Sequence, residues 1–144
     1  SDGSPERKSV RGKMKGVLHN DYFILSLDVQ SSVVTLVRTQ SPFPTVKDVE
    51  TEYQRINTAM DRLGRRSRYL RIDLRDAPGR NDPAFEAIMN VQRPRLFATF
   101  RRVAVLVKTS VGTLQVRRHT RQDGFAVFVS STPDEVEEYL VKGT

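Results

Sequence analysis

The sequence predicts an α/β fold: a single-layer mixed, mostly parallel sheet of about five strands with about four helices, in the order ββαβαβαβα. Three observations carry this. Short runs with alternating or continuous apolar character recur between residues 21 and 129. Stretches of helical periodicity separate them. Capping and turn residues sit at the junctions.

Asp21–Val29 reads DYFILSLDV. Phe23, Leu25, Leu27 and Val29 alternate with Tyr22, Ile24, Ser26 and Asp28, the period of a strand with one buried face. Gln30-Ser31-Ser32 is a polar break of hairpin length. Val33–Arg38 (VVTLVR) is β-branched enough for the return strand. Ser41-Pro42-Phe43-Pro44 stops it, because proline donates no ladder bond and restricts its predecessor.

Thr45–Leu63 is the clearest helix. Val46, Val49, Tyr53, Ile56, Met60 and Leu63 recur three or four residues apart and draw one apolar stripe. Thr45 suits the N-cap, Asp48 the capping-box position and Gly64 the left-handed C-cap. The stripe covers fewer than three heptads, so it reads as a face packed on a sheet and not as a coiled-coil seam.

Tyr69–Leu74 (YLRIDL) is the next strand, with Leu70, Ile72 and Leu74 inward. Asp76-Ala77-Pro78-Gly79-Arg80-Asn81 is a loop by composition. Asp82 caps and Pro83 opens a helix whose buried side is Phe85, Ile88, Met89 and Val91, and Pro94 breaks or restarts it. Val103–Val107 (VAVLV) suits a strand buried on both faces. Residues 110–123 stay open between two readings. One is a helix from Thr109-Ser110 ending at Gly124; the other is a hairpin through Leu114, Val116 and Asp123-Gly124. Ala126–Val129 is a strand in either case. Thr132-Pro133-Asp134-Glu135 starts the last helix, with Val136, Tyr139 and Leu140 inward.

The 144 residues are the size of one domain, and at 38% hydrophobic they are too apolar for global disorder. Cysteine is absent, which excludes disulfides, thiolate metal sites and a cysteine nucleophile. His19 and His119 are too few for a histidine-rich metal centre. No apolar run approaches the roughly 18 residues of a membrane span. The polar, basic N-terminus does not read as a secretory signal, so a cytoplasmic protein is expected. Residues 1–20, with five basic and two acidic side chains, read as a disordered tail. Residues 21–144 then form the domain.

The net charge of +7 is clustered. Arg62, Arg65, Arg66, Arg68 and Arg71 fall within ten residues; Arg93, Arg95, Arg101 and Arg102 form a second group; Arg117, Arg118 and Arg121 form a third. Arginine grips phosphate and carboxylate with parallel bonds, so Arg62, Arg65, Arg66 and Arg68 are a candidate anion-binding cluster. The plainer reading is solvated helix ends. No aromatic residues interleave with these arginines, which argues against a single-strand nucleic-acid platform.

The opening hairpin Phe23–Val37, the capped helix, the strand ending in Asp73-Leu74, the buried strand Arg102–Val107 and the closing Phe125–Leu140 unit together resemble the STAS superfamily, the fold of the anti-sigma-factor antagonists. The resemblance covers residues 21–142 and lies in element order and hydrophobic pattern. It implies a bacterial-type, SpoIIAA-like regulatory domain that binds a protein partner. In that family, the loop after this strand leads to a D-S-S-G-like segment in which a partner kinase phosphorylates a serine. Here the matching stretch is Asn81-Asp82-Pro83-Ala84, and no serine, threonine or tyrosine occurs from Leu74 to Ala98. The usual switch has no acceptor. In this the chain is similar to lipid-associated STAS-like proteins, whose sheet and helices enclose an apolar pocket. No residue pattern here demonstrates such a pocket.

No P-loop, G-x-S-x-G or dinucleotide fingerprint is present. Asp73 and Asp76 end a strand where ligands of open α/β sheets bind, but an outward Asp73 and a turn-capping Asp76 explain both. His119 has no adjacent carboxylate. Ser110, Ser130, Ser131 and Thr132 could touch a ligand or simply cap helices. The expected function is therefore a non-enzymatic STAS-type binding module without cofactor or metal. Its partner-binding surface is Arg75, Asp76, Arg80, Asn81 and Asp82, where a helix N-terminus and two arginines suit an acidic protein group. Two alternatives stand beside it: a module for an anionic lipid or small amphiphile, and non-specific nucleic-acid binding. Association with a second copy is left open.

Overall fold

The sheet grows strictly in chain order, and its first half differs in sense from its second. The computed structural model describes residues 14–113, 117 and 126–143. Strands β1 (Met14–His19), β2 (Phe23–Asp28) and β3 (Val33–Arg38) form an antiparallel meander. From β3 onward every neighbour is parallel: β4 (Tyr69–Asp73), β5 (Val103–Leu106) and β6 (Phe128–Ser130). The crossovers are α1 (Val46–Leu63), α2 (Pro83–Phe97) and α3, which is helical over residues 110–113 and at Arg117; α4 (Pro133–Lys142) closes the chain. The class is α/β with a mixed sheet, but it has six strands, and the parallel part is confined to β3–β6.

The additional strand comes from the segment expected to be tail. Residues 14–19 pair with β2, and Val17 and Leu18 pack on the core. The surrounding lysines hid this short apolar step from a composition reading. Residues 1–13 lie outside the described residues. The open question at 110–123 takes its helical answer at the start, where Thr109 Oγ1 accepts from Gly112 N at 3.1 Å; Leu114, Val116 and Asp123-Gly124 lie outside the described residues.

One face of the sheet carries the main core. Phe23, Leu25, Leu36, Leu70, Ile72 and Val105 meet Val49, Ile56 and Met60 of α1 and Met89, Leu96 and Phe97 of α2. Each such side chain contributes about 1.5–3 kcal/mol on burial. The opposite face is covered by α4, whose Val136 and Leu140 pack on Ala104 and Leu106. That two-sided cover is why β5 reads as an unbroken apolar run.

Helix α1 starts as the sequence predicts: Asp48 N donates to Thr45 Oγ1 at 3.2 Å and Thr45 N to Asp48 Oδ2 at 3.1 Å. Gly64 ends it at φ +84°, a conformation that favours glycine. Helix α2 departs from expectation. Pro94 neither breaks nor restarts it, and Val91 is 62% exposed instead of buried. Proline removes one bond of the final turn, but Leu96 and Phe97 beyond it are buried and hold the turn in place. In α4 the side chain of Thr132 makes no capping bond; Ser130 Oγ accepts from Thr132 N at 3.0 Å and pairs with Glu135.

Candidate functional site

The parallel strands β3, β4 and β5 end side by side beneath the N-termini of α1 and α2. Side chains from five segments converge there on a cavity of about 430 Å³. Phe43, from the proline-rich turn, and Tyr53, from α1, form one wall. Phe85 and Met89 of α2 form the other. The loop Ala77-Pro78-Gly79 lies at the rim. Below it a second void of about 70 Å³ reaches Ile72, Phe97 and Val105, sharing Arg38, Tyr53 and Arg93 with the upper one.

Arg38 reaches this place by the alternation of β3: Val34, Leu36 and Arg38 all point into the main core. It is 5% exposed. Its guanidinium lies 4.2 Å from the Phe43 ring centroid, a cation–π contact, and within 6 Å of the Phe23 and Tyr22 rings. Nη1 donates to Thr39 O at 2.8 Å and Tyr22 O at 3.2 Å. Among the described residues no carboxylate pairs with Arg38, and Nε and Nη2 find no acceptor. Burial pushes this guanidinium below its ordinary value, opposed by Tyr53 and Tyr22. Tyr53 is 7% exposed; its ring stands edge-on to Phe23, and its hydroxyl has no hydrogen-bond partner among the described residues. Burial pushes that hydroxyl up, opposed by the charges of Arg38 and Arg93.

The other cations of the wall have acids beside them. Arg93 Nη2 is 3.7 Å from Glu86, and Arg80 Nε is 2.6 Å from Asp82. Among the described residues the lining therefore carries one positive charge without a neighbouring acid, on Arg38.

The five residues expected to meet a partner fall on the loop above. Arg75, Asp76 and Asn81 are exposed, and Arg80 lies at the cavity rim. Their electrostatics differ from expectation. Arg75 is clamped to Asp73 through Nε at 3.0 Å and Nη2 at 2.8 Å. Asp82 accepts from Phe85 N at 3.2 Å and from Arg80, so a carboxylate of the chain itself already occupies the start of α2. The hydrogen bond from Arg80 holds Asp82 below its usual range. Burial tends to raise Asp73, but the bonds and charge of Arg75, with Arg71 adding to them, bring it below its usual range. Asp73 does point away from the main core, as the alternation of β4 requires.

The expected anion cluster splits. Arg62 and Arg66 are exposed at the opposite end of the sheet, and Arg68 Nε donates to Leu63 O at 2.8 Å. Arg65 is 8% exposed and turned inward. Ser110, Ser130 and Ser131 line a separate, wider depression of about 640 Å³, which also holds Glu135 and Glu138. His119, Arg118 and Arg121 lie outside the described residues. No group of three or more metal-ligating side chains occurs among the described residues, and no helix there is long and apolar enough to cross a membrane.

Sequence reasoning gave no site role to Arg38, Phe43 and Tyr53, and it placed Arg93 only in the second arginine group. One signal was available for Arg38: a cation at the third inward position of a strand whose first two are valine and leucine. For the others the convergence of five segments was needed. No family model matches the chain, and neither a curated protein nor a solved structure matches it.

Proposed function

We propose that this chain is a non-enzymatic binding module, of the kind the STAS resemblance implies, that holds a small and mainly apolar ligand between α1 and α2. One observation carries the reading: a cavity of about 430 Å³, within the usual size of ligand sites, opens at the end of the parallel strands and is walled mainly by aromatic and aliphatic side chains. Its polar groups are arginines, Tyr53 and Glu86, suited to orienting a ligand. The loop carrying Arg75, Asp76, Arg80 and Asn81 borders the same cavity, so a protein partner reading that loop would sense whether the cavity is filled.

The test uses the neutral probe N-phenyl-1-naphthylamine, whose fluorescence rises in apolar surroundings. Saturable, equimolar enhancement with the full chain is expected, with loss of most of it in Ala77→Trp, which places an indole at the rim. Absence of enhancement, or enhancement untouched by Ala77→Trp, overturns the reading.

A further inference from the structure

A buried guanidinium without a carboxylate is a rare arrangement. Charged groups taken from water are normally paired, because desolvation alone costs several kcal/mol per ion. The other arginine buried among the described residues, Arg65, is satisfied through all three guanidinium nitrogens, Nε, Nη1 and Nη2. At Arg38 it leaves Nε and Nη2 without acceptors and sets the unpartnered Tyr53 hydroxyl in the wall of the same two voids. Buried donors are satisfied in the great majority of native structures, by protein, water or ligand. Two side chains with unsatisfied donors, Arg38 and Tyr53, line one mainly apolar space and define the acceptor that would fit there.

That acceptor has three properties. It carries one negative charge, because Arg80 and Arg93 have Asp82 and Glu86 beside them and only Arg38 is uncompensated. It presents at least two acceptor oxygens, to serve a guanidinium edge and a hydroxyl together. It is attached to an apolar body, because apart from Arg80, Arg93 and Glu86, whose charges are offset by their ion pairs, the rest of the lining is mainly apolar. The void below Arg38 is only about 70 Å³, so the body extends the other way, along Phe43, Phe85 and Met89 toward the loop at Ala77-Pro78-Gly79.

We infer that the cavity selects a monocarboxylate amphiphile, bound with its carboxylate inward on Arg38 and Tyr53 and its apolar tail toward the loop. This rests on the reading of the cavity as a ligand site and adds the head group and the direction of binding.

The test compares dodecanoate with dodecanol, equal in tail and different in head, by isothermal titration calorimetry on the full chain. Wild type is expected to bind dodecanoate at least about tenfold more tightly, the scale of a charge-assisted hydrogen bond in a dry site. Arg38→Met, which keeps an unbranched apolar stem and removes the charged head, is expected to abolish that preference while still binding dodecanol. Tyr53→Phe is expected to weaken dodecanoate several-fold and leave dodecanol unchanged. Equal binding of the two ligands by wild type overturns the head-group inference and leaves the cavity reading standing. Binding of neither ligand overturns both. A preference that survives Arg38→Met overturns the assignment to Arg38. Dodecyl phosphate, with its second charge, separates a carboxylate site from a phosphate site. Tighter binding of the phosphate than of dodecanoate overturns the carboxylate assignment.

Discussion

The seam between α1 and the sheet has two ends, and each buries an arginine. At the end where α1 and α2 finish, Arg65 is saturated. Nε meets Asp61 Oδ1 at 2.7 Å, Nη1 reaches the Leu96 and Ala98 carbonyls at 3.2 Å each, and Nη2 reaches Asn57 Oδ1 at 3.1 Å. Asn57 in turn donates to Gln92 at 3.1 Å, so one side chain ties the last turns of both helices. At the end where α1 and α2 begin, Arg38 is half satisfied and lines the mainly apolar cavity. The same residue type thus does opposite things. Arg65 supplies donors to carbonyls that helix ends leave bare. Arg38 keeps donors in reserve. One end holds the layers together; the other is the end where we propose that a ligand lodges between them.

The comparison breaks most readily on stability. Arg65→Met takes the donor from the buried Leu96 carbonyl and Asn57 amide oxygen, each worth about 1–3 kcal/mol, and from the half-buried Ala98 carbonyl. A loss of roughly 3 kcal/mol or more is expected in urea unfolding, a large share of the 5–15 kcal/mol that domains possess. A loss below about 1 kcal/mol would deny Arg65 its clamping role.

Arg38→Met should move stability the other way or not at all. It gives up two carbonyl contacts and ring stacking, and it removes a buried charge with no acid beside it. Replacing buried charge by an apolar side chain of similar volume is often neutral or stabilising by about 1–4 kcal/mol. Unfolding of the ligand-free variant measures this directly. A loss as large as that of Arg65→Met would make Arg38 a second structural clamp and erase the contrast between the two ends.

The two ends also differed in how far the sequence disclosed them. The helix that joins them was readable because its signals are local: the Thr45–Asp48 box, the three-four spacing of Val49, Tyr53, Ile56 and Met60, and Gly64 at the stop. Inward Leu70, Ile72 and Leu74 followed from alternation alone. What failed was context. Arg65 sits among four other arginines within ten residues, and nothing in that run marks the one whose donors will find the carbonyls of a helix thirty residues away. The apolar pair Val17-Leu18 is too short to outweigh its basic neighbours, yet it suffices for an edge strand once β2 offers a ladder. Pro94 is a breaker by local rule, overruled by burial of Leu96 and Phe97. The cavity was the least legible feature, because an empty space is a property of several segments at once.

The smallest effect concerns the loop over the cavity. If the end that binds is preset, its loop must keep its shape without a ligand, and two carboxylate clips are the means. Asp73 receives Arg75, and Asp82 receives Arg80 and the Phe85 amide. Both carboxyls lie below their ordinary value of 3.8. A carboxyl lowered in the folded state contributes stability above its unfolded value and loses it as pH falls through the folded one. The clips are therefore intact at pH 5 and should persist to lower pH than the ionised form of an unshifted aspartate does. Both are local pairs within two residues of each other at the partly exposed surface, so their release should perturb global stability little. The readout is local: amide chemical shifts of Arg75 and Phe85 followed by NMR from pH 6 to pH 2.5, with a short unstructured aspartate peptide in the same buffer as the reference. Both amides should move only after the peptide's carboxyl has begun to titrate. Movement together with the peptide, or before it, would mean that the loop is not clipped in place and that the cavity end owes its shape to whatever fills it.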